Sequence, residues 1–436
     1  MFKKLVEHLS SLTDISVMRG AIRVMFLRVC GVVFLFAITV FLTNFYDAEV
    51  VGAYEFARSS LFLIGGFVLL GTDQSILFFS GRFAKKEHIK ALFGIYIKMI
   101  KLLLLVSVFL LGIALLIPET VYDAFFNDTT SGYILLKVAF SLFFYALTLL
   151  NTEFFRGFSL QEKSELYRGI FKQLPFALGL FLLILFKNQK YVVEVFLVSF
   201  VILAFISSTE VLKIYRSFNH SHKTKLDVSY KTILKTTFPI AISSLGFYLL
   251  ISIDVLFLKI YTDFETLAYY GTTIKIIFLI ATVVSTISSF LAVQIADLFV
   301  KSRQQLQELV KKGARIIAGL SAILSLGLFI FSSQILSVFG ASYTLADDAL
   351  RILIVGHFLS TLCGITAVYL NMTKKQVALQ YILIFTVVLN VILNWVLIPK
   401  MGMKGAAIAS AVSVILWNVI SVIFVYKRDK IILFVH

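Results

Sequence analysis

"YVVEVFLVSFVILAFISSTEVLKIYRSFNHSHKTKLDVSYKTILKTTFPIAISSLGFYLLISIDVLFL" (Tyr191–Leu258) sets a polar, basic connector between two apolar runs. Each run is about as long as the roughly 20 helical residues that a bilayer's hydrocarbon core requires, so 191–212 and 236–258 read as membrane spans. The pattern continues outward in both directions. Further runs of this kind lie at 22–43, 60–79, 96–117, 133–152, 169–186, 267–293, 314–335, 348–370, 377–398 and 405–426. With 59% hydrophobic residues and a mean hydropathy of +0.95, the chain reads as an all-α polytopic membrane protein of twelve transmembrane helices. Its tails and connectors are too short for a separate catalytic domain.

The net charge of +16 would point to nucleic acid in a soluble chain, but here the basic residues stand next to the spans. They gather in alternate loops: Arg82, Lys85, Lys86 and Lys90; Arg156, Lys163 and Arg168; Arg216, Lys223, Lys225 and Lys231; Lys301, Arg303, Lys311, Lys312 and Arg315; Lys374 and Lys375. The tails add Lys3, Lys4, Arg19, Lys427, Arg428 and Lys430, while the intervening loops hold little beyond Lys187, Lys190, Lys259, Lys400 and Lys404, with acids such as Asp47, Glu119 and Asp128. The positive-inside rule then puts both termini in the cytoplasm and leaves no role for nucleic acid. No cleavable signal peptide is expected, because the first twenty residues are polar and basic and the first apolar run lacks a small-residue cleavage site. Cys30 and Cys363 fall in separate spans with no metal-type spacing, so they read as apolar packing residues.

The basic connector divides the chain into a six-helix lobe at 1–212, a linker at 213–235 and a second six-helix lobe at 236–436. An even number of spans per half implies a parallel repeat about an axis along the membrane normal. "YDAEVVGAYEFARSS" (Tyr46–Ser60) and "YTDFETLAYYGTTIK" (Tyr261–Lys275) give it weak support, each preceding the second span of its half. Gly52-Ala53-Tyr54 then aligns with Ala268-Tyr269-Tyr270, and Arg58 falls one place from the position aligned to Lys275. Pro118 and Pro399 read as closing helices at the outer face, and Pro175 and Pro239 as kinks inside spans. "ADLFVKSRQQLQELVKKGAR" (Ala296–Arg315) reads as an interfacial helix on the cytoplasmic leaflet.

Three passages carry a family resemblance: "VVGAYEFARSSLFLIGGFVLLGTDQSILFF" (Val50–Phe79), "TFPIAISSLGFYLLISIDVLFLKIYTDFETLAYYGTTIKI" (Thr237–Ile276), and "ILSVFGASYTLADDALRILIVGHFLSTLCGITAVYLNMTKKQ" (Ile335–Gln376) running into "LNVILNWVLIPKMGMKGAAIASAVS" (Leu389–Ser413). The last is the most specific, with its L-N-x-x-L-N-x-x-L-I-P-x-x-G-x-x-G-A-A-x-A order. Together they resemble the Wzx-type O-antigen flippases of the multidrug/oligosaccharidyl-lipid/polysaccharide exporter superfamily. Phe78-Phe79 stand where that family often has an Arg, and Ala292-Val293-Gln294 where it commonly has a Pro. The resemblance implies a flippase of the bacterial inner membrane that carries a polyprenyl-pyrophosphate-linked oligosaccharide to the outer leaflet for surface polysaccharide synthesis. A polymerase and chain-length proteins are its implied partners. It implies no cofactor, with coupling to protons or sodium left open.

Ionisable side chains at membrane depth are costly and hence candidate site residues. Arg28 lies about 9 Å into the first span at 1.5 Å per residue, where a long side chain can snorkel or face a cavity. Arg58 reads as the start of the second span, and Lys275 lies about 12 Å into the eighth with no polar neighbour following it. Lys137, near the outer end of the fourth span, is either anchor or cavity wall, while Lys98 and Lys101 read as interface anchors. Asp73 and Asp254 each either pair with one of these cations or bind a coupling ion; Glu194 and Glu210 are solvated or paired. His357, Asn390 and Asn394 read as hydrogen-bonding links between helices. A path lined by cations suits an anionic cargo, since guanidinium and ammonium groups bind phosphate, and Arg58 and Lys275 are expected to face each other as two uncompensated charges. The alternatives are a cation-coupled multidrug exporter of the same fold and a membrane-embedded polysaccharide polymerase or ligase. The last is disfavoured by short outer loops without a catalytic cluster.

Overall fold

The computed structural model describes the backbone of residues 15–83, 89–217 and 228–435, and the side chains of 23–81, 90–217 and 228–435. Lys3, Lys4, Lys85, Lys86, Lys223 and Lys225 lie outside the described residues, as do the side chains of Arg19 and Arg82. The described residues contain helices and no strand. The first half comprises α1 (Ile15–Phe45), α2 (Ala48–Leu69), α3 (Thr72–Phe83), α4 (Ile89–Leu116), α5 (Glu119–Phe126), α6 (Thr129–Gly157), α7 (Gln161–Leu166), a π turn (Tyr167–Phe171), α8 (Leu174–Leu185) and α9 (Val192–Ser217). The second comprises α10 (Tyr230–Tyr261), α11 (Phe264–Lys301), α12 (Arg303–Ile330), α13 (Ser332–Ser337), a 3₁₀ segment (Ala341–Ala346), α14 (Asp347–Thr361), α15 (Thr366–Met372), α16 (Gln376–Met401) and α17 (Met403–Asp429).

Ten helical runs are long and apolar enough to cross a membrane, and two bent pairs bring the total to twelve. This is a multi-pass membrane protein. The bent pairs are α2 with α3, at 45°, and the Ala341–Thr361 segment with α15, at 41°. The first bend is made by Leu70 and Gly71, with φ of 47° and 71°. Glycine is required there for space as well as for conformation, because a Cβ on Gly71 would stand 2.7 Å from the Thr237 carbonyl oxygen and 2.6 Å from the Ala241 nitrogen.

Several boundaries differ from the sequence reading. The stretches Tyr46–Ser60 and Tyr261–Lys275 are helical from Ala48 and Phe264 onward, not loops. Their polar residues depress hydropathy without breaking the helix. Pro175 lies inside the Gln161–Leu185 span, just after its π turn. It stands in the first turn of α8, where its missing N–H leaves no bond unmade. Pro239 does lie inside α10, and Pro399 lies inside α16 near its end. The Ala296–Arg315 segment is not one helix: α11 continues to Lys301, and Ser302 caps α12 by accepting from the Gln305 amide at 3.4 Å. Its apolar stripe finds a protein partner rather than lipid, since Leu306 and Val310 are buried in one core with Leu291 and Ile295. Lys213–Ser217 extend α9 and Tyr230–Lys235 open α10, which leaves 218–227 of the connector outside the described residues.

In the first half α6 is the central helix, packed against α2, α3, α4 and α9. Polar side chains hold these helices where lipid offers no hydrophobic drive. Asn151 accepts from Tyr96 at 2.5 Å and donates to Ser207 and Ser208 at 2.8 and 3.0 Å. In the second half α17 packs on α14 and α16. The halves meet where α2 lies against α10 and α11.

The connectors gather at two ends. At one, Asn44 donates to the Val338 carbonyl at 2.9 Å and Lys404 pairs with Asp348 at 2.6 Å. At the other, Lys98 donates to the Val228 carbonyl at 2.8 Å and Lys375 pairs with Asp429 at 2.7 Å. The loop charges lead to the expectation that the first end is outer and the second cytoplasmic. Reporter fusions at Asn127 and Thr344 should therefore read outside, and those at Lys85, His222 and Lys374 inside; inverted readings at any two would reverse or break this topology.

Candidate transport site

Where α2 crosses α11, three ionisable groups are closed off from solvent. Glu55 is fully buried; Arg58 and Lys275 keep 8% and 2% of their surface. Arg58 Nε donates to Glu55 Oε2 at 2.9 Å, its second nitrogen lies 2.8 Å from the same oxygen, and Lys275 pairs with Oε1. Arg58 is about 15 Å along α2 and Lys275 about 17 Å along α11 at 1.5 Å per residue, both within helical runs long and apolar enough to cross a membrane. Neither snorkels.

Two glycines make the crossing possible. A Cβ on Gly52 would stand 1.7 Å from the Phe264 carbonyl oxygen, and one on Gly271 would meet Glu55 Cγ at 2.7 Å. The helices therefore touch backbone to backbone, and the acid of one half fills the space left by the glycine of the other. Arg58 lies over the Phe62 ring at 5.3 Å and Lys275 over Tyr54 at 5.1 Å. Desolvating three charges costs several kcal/mol per ion, which only close pairing recovers.

Nearer the end that holds Asn44 and Val338, Lys259 reaches across the halves to Asp128, and Asn127 donates to the Ile260 carbonyl at 3.5 Å. Burial opposes the charged form of Asp128, but Lys259 and the Ser131 amide and hydroxyl outweigh it and hold its carboxyl below the usual carboxylate range. A cavity of about 800 Å³ opens beside this seam, with Glu49, Asp128, Asp263 and Glu265 among its lining residues.

The first half carries a second charged layer. Arg28 pairs with Glu165 at 2.8 Å, and Glu153 takes Arg168 on one oxygen and Arg156 at 3.6 Å on the other. Gly31 and Gly169 allow α1 to lie against the π turn here, since a Cβ on Gly31 would stand 2.8 Å from the Gly169 Cα. Lys172 follows that turn, about 16 Å along the span that opens at Gln161. Its ammonium lies 4.6 Å from the Phe62 ring centre and 5.9 Å from that of Phe200, and it has no ion-pair partner among the described residues. Arg58 and Arg168 are its charged neighbours. Tyr145 and Tyr248 close in from α6 and α10 over Gly65 and Gly66.

The second half holds a separate cavity of about 390 Å³, lined mainly by apolar side chains such as Phe247, Phe278 and Trp417, with Asp254 and His357 among its polar ones. Asp254 is buried and accepts from Asn394 at 2.7 Å and from the Tyr270 hydroxyl at 3.3 Å. Asn390 accepts from Asn394 at 3.0 Å. No cation reaches Asp254 within ion-pair distance among the described residues.

Of the six site residues read from the sequence, Arg58 and Lys275 come together, but not as uncompensated charges: Glu55 stands between them. Arg28 is paired in the lower layer. Lys137 pairs with Glu194 at 2.6 Å on a half-exposed surface, apart from the Arg58 cluster. Neither Asp73 nor Asp254 pairs with any of the cations named for it. Glu210 pairs with Lys163 and Lys213. The residues missed are Glu55, Lys172 and Glu153. For Glu55 the signal was present, an acid and a base three residues apart on one helix face.

A MatE family model matches residues 239–396. The probable low-salt glycan biosynthesis flippase Agl15 of Haloferax volcanii is 28% identical over 174 residues, 39% of this chain and 37% of that protein's length. Among solved structures, a multidrug resistance MATE family transporter of the MOP superfamily, inward-facing, superposes with a TM-score of 0.67 at 14% identity, covering 93% of this chain and 98% of its own. The lipid II flippase MurJ, inward closed, gives a TM-score of 0.71 at 14% identity, covering 93% and 86%. The chain thus has the fold of the MOP superfamily transporters, and the proteins it matches are transporters and flippases rather than enzymes.

Proposed function

We propose that the chain is a flippase that moves an anionic, polyprenyl-pyrophosphate-linked oligosaccharide across the bacterial inner membrane by rocking two six-helix lobes. The observation that carries this reading is Lys172, a cation near the middle of the membrane with no acid to neutralise it, flanked by Arg58 and Arg168. A diphosphate supplies the missing negative charge and accepts bonds from all three. Lys275 joins the site when the lobes part and its bond to Glu55 breaks. Asp254, with the Asn390 and Asn394 amides, serves as the coupling-ion site of the second lobe; its buried oxygens, including the unpartnered Asn394 Oδ1, suit a small cation or a proton.

A second reading rests on that same acid. A carboxylate in a largely apolar cavity of about 390 Å³ suits an organic cation, as in a multidrug exporter. Deletion of the chain separates the two. Loss of surface polysaccharide, restored by the wild-type copy, supports the flippase; intact polysaccharide with increased sensitivity to cationic dyes supports the exporter.

A further inference from the structure

Asp73 stands just past the Leu70–Gly71 bend and keeps 4% of its surface. Its Oδ1 has no hydrogen-bond partner, and its Oδ2 lies 3.5 Å from Gln74 Nε2, with the Gln74 backbone amide also acting on the carboxylate. Its charged neighbours are of both signs. From α6 the Glu153 carboxylate acts on it with like charge, and Tyr145 stands beside it. From the turn after α7 comes Arg168, already engaged by Glu153. From α10 comes the Tyr248 phenol. Helix α4, also packed on α3, commits Tyr96 to Asn151 and Lys98 to the Val228 carbonyl.

An ionised carboxylate left unpaired in such a place costs several kcal/mol, and such groups neutralise instead. The bend beside Asp73 is also where the halves touch, through Gly71 against Thr237 and Ala241 on either side of Pro239. We propose that Asp73 is a proton-binding site whose neutral form keeps the α2–α3 bend seated on α10. The proton is taken from water onto the Asp73 carboxylate and returned to it. Once ionised, Asp73 competes with Glu153 for Arg168 and the bend lifts from α10. This rests on the transporter fold and not on the identity of the cargo.

Infrared difference spectra of the full chain in lipid read the site directly. Wild type should show the carbonyl band of a protonated carboxylic acid that fades as pH rises, and Asp73→Asn should lack that component. Glu153→Gln removes the like charge and frees Arg168, so the band should fade at a pH lower by about one unit or more, a tenfold loss of proton affinity. Spin labels at Phe78 and Leu234, exposed on α3 and α10, should move apart in wild type over the same pH interval and stay together in Asp73→Asn. A titrating band that survives in Asp73→Asn, or an unshifted midpoint in Glu153→Gln, overturns the proposal. So does an Asp73 signal that is insensitive to pH but responds to added sodium. If the Asn variant does not fold, the Glu153→Gln shift decides alone. None of these outcomes depends on polysaccharide export, so the cargo reading can fail separately.

Discussion

Glu55→Gln is expected to open the outer seam and stop transport while leaving the helices inserted. The substitution keeps the side chain's size but leaves Arg58 and Lys275 buried without their counter-charge. Removing one partner of a buried pair costs about 3–5 kcal/mol, most of it from the charge left behind. Lobe separation brings water to both cations, so the variant should favour the state in which α2 and α11 part. Spin labels at Thr130 and Glu265, which line the outer cavity, should lie farther apart than in wild type. The double variant Glu55→Gln/Lys275→Gln loses a charge from each side and should recover part of the closed population, giving a non-additive cycle. Unchanged label distances in Glu55→Gln would remove Glu55 from any gating role.

Lys172→Ala and Lys275→Ala are expected to fail for different reasons. Lys172 is not committed to any ion pair, so its removal should leave the thermal unfolding midpoint nearly unchanged. Its loss should still weaken capture of a diphosphate at least about tenfold, the equivalent of roughly 1.4 kcal/mol, which is modest for a charge-assisted bond. Lys172→Arg should keep part of the function, because charge rather than shape matters most there. Lys275→Ala should abolish export and also lower stability, since it leaves Glu55 with Arg58 alone; Lys275→Arg should retain part of both. Stability that falls equally in the two Ala variants, or full export by Lys172→Ala, would mean that Lys172 only packs on Phe62.

The spans were legible because membrane insertion is decided by local hydropathy. Arg58 and Lys275 could be singled out for the same reason, as charges without relief in apolar surroundings. Depth was harder to read. Glu49, Glu55 and Arg58 lower the hydropathy of the opening turns of α2, so hydropathy puts its start near Ser60 although it begins at Ala48. That shift hid Glu55 in an apparent loop and turned a buried triad into an apparent pair of bare cations. Lys172 was passed over because it stands close to the predicted start of its span, where lysines commonly snorkel. Asp128 and Lys259 are 131 residues apart, and only the packed structure brings them together. The Leu70–Gly71 bend left a trace in the glycine, but its cause is the α10 backbone pressed against it.

Translocation in sealed proteoliposomes tests the central proposal most directly. The purified chain would be reconstituted with a fluorescent polyprenyl-pyrophosphate oligosaccharide, and its appearance in the opposite leaflet followed by a membrane-impermeant quencher. Rhodamine 6G would serve as the cationic counterpart in parallel vesicles. The flippase reading predicts protein-dependent movement of the anionic glycolipid, reduced at least about tenfold in Lys172→Ala, with the dye left in place. Dye movement without glycolipid movement, or glycolipid movement indifferent to Lys172, Arg58 and Lys275 alike, would contradict it.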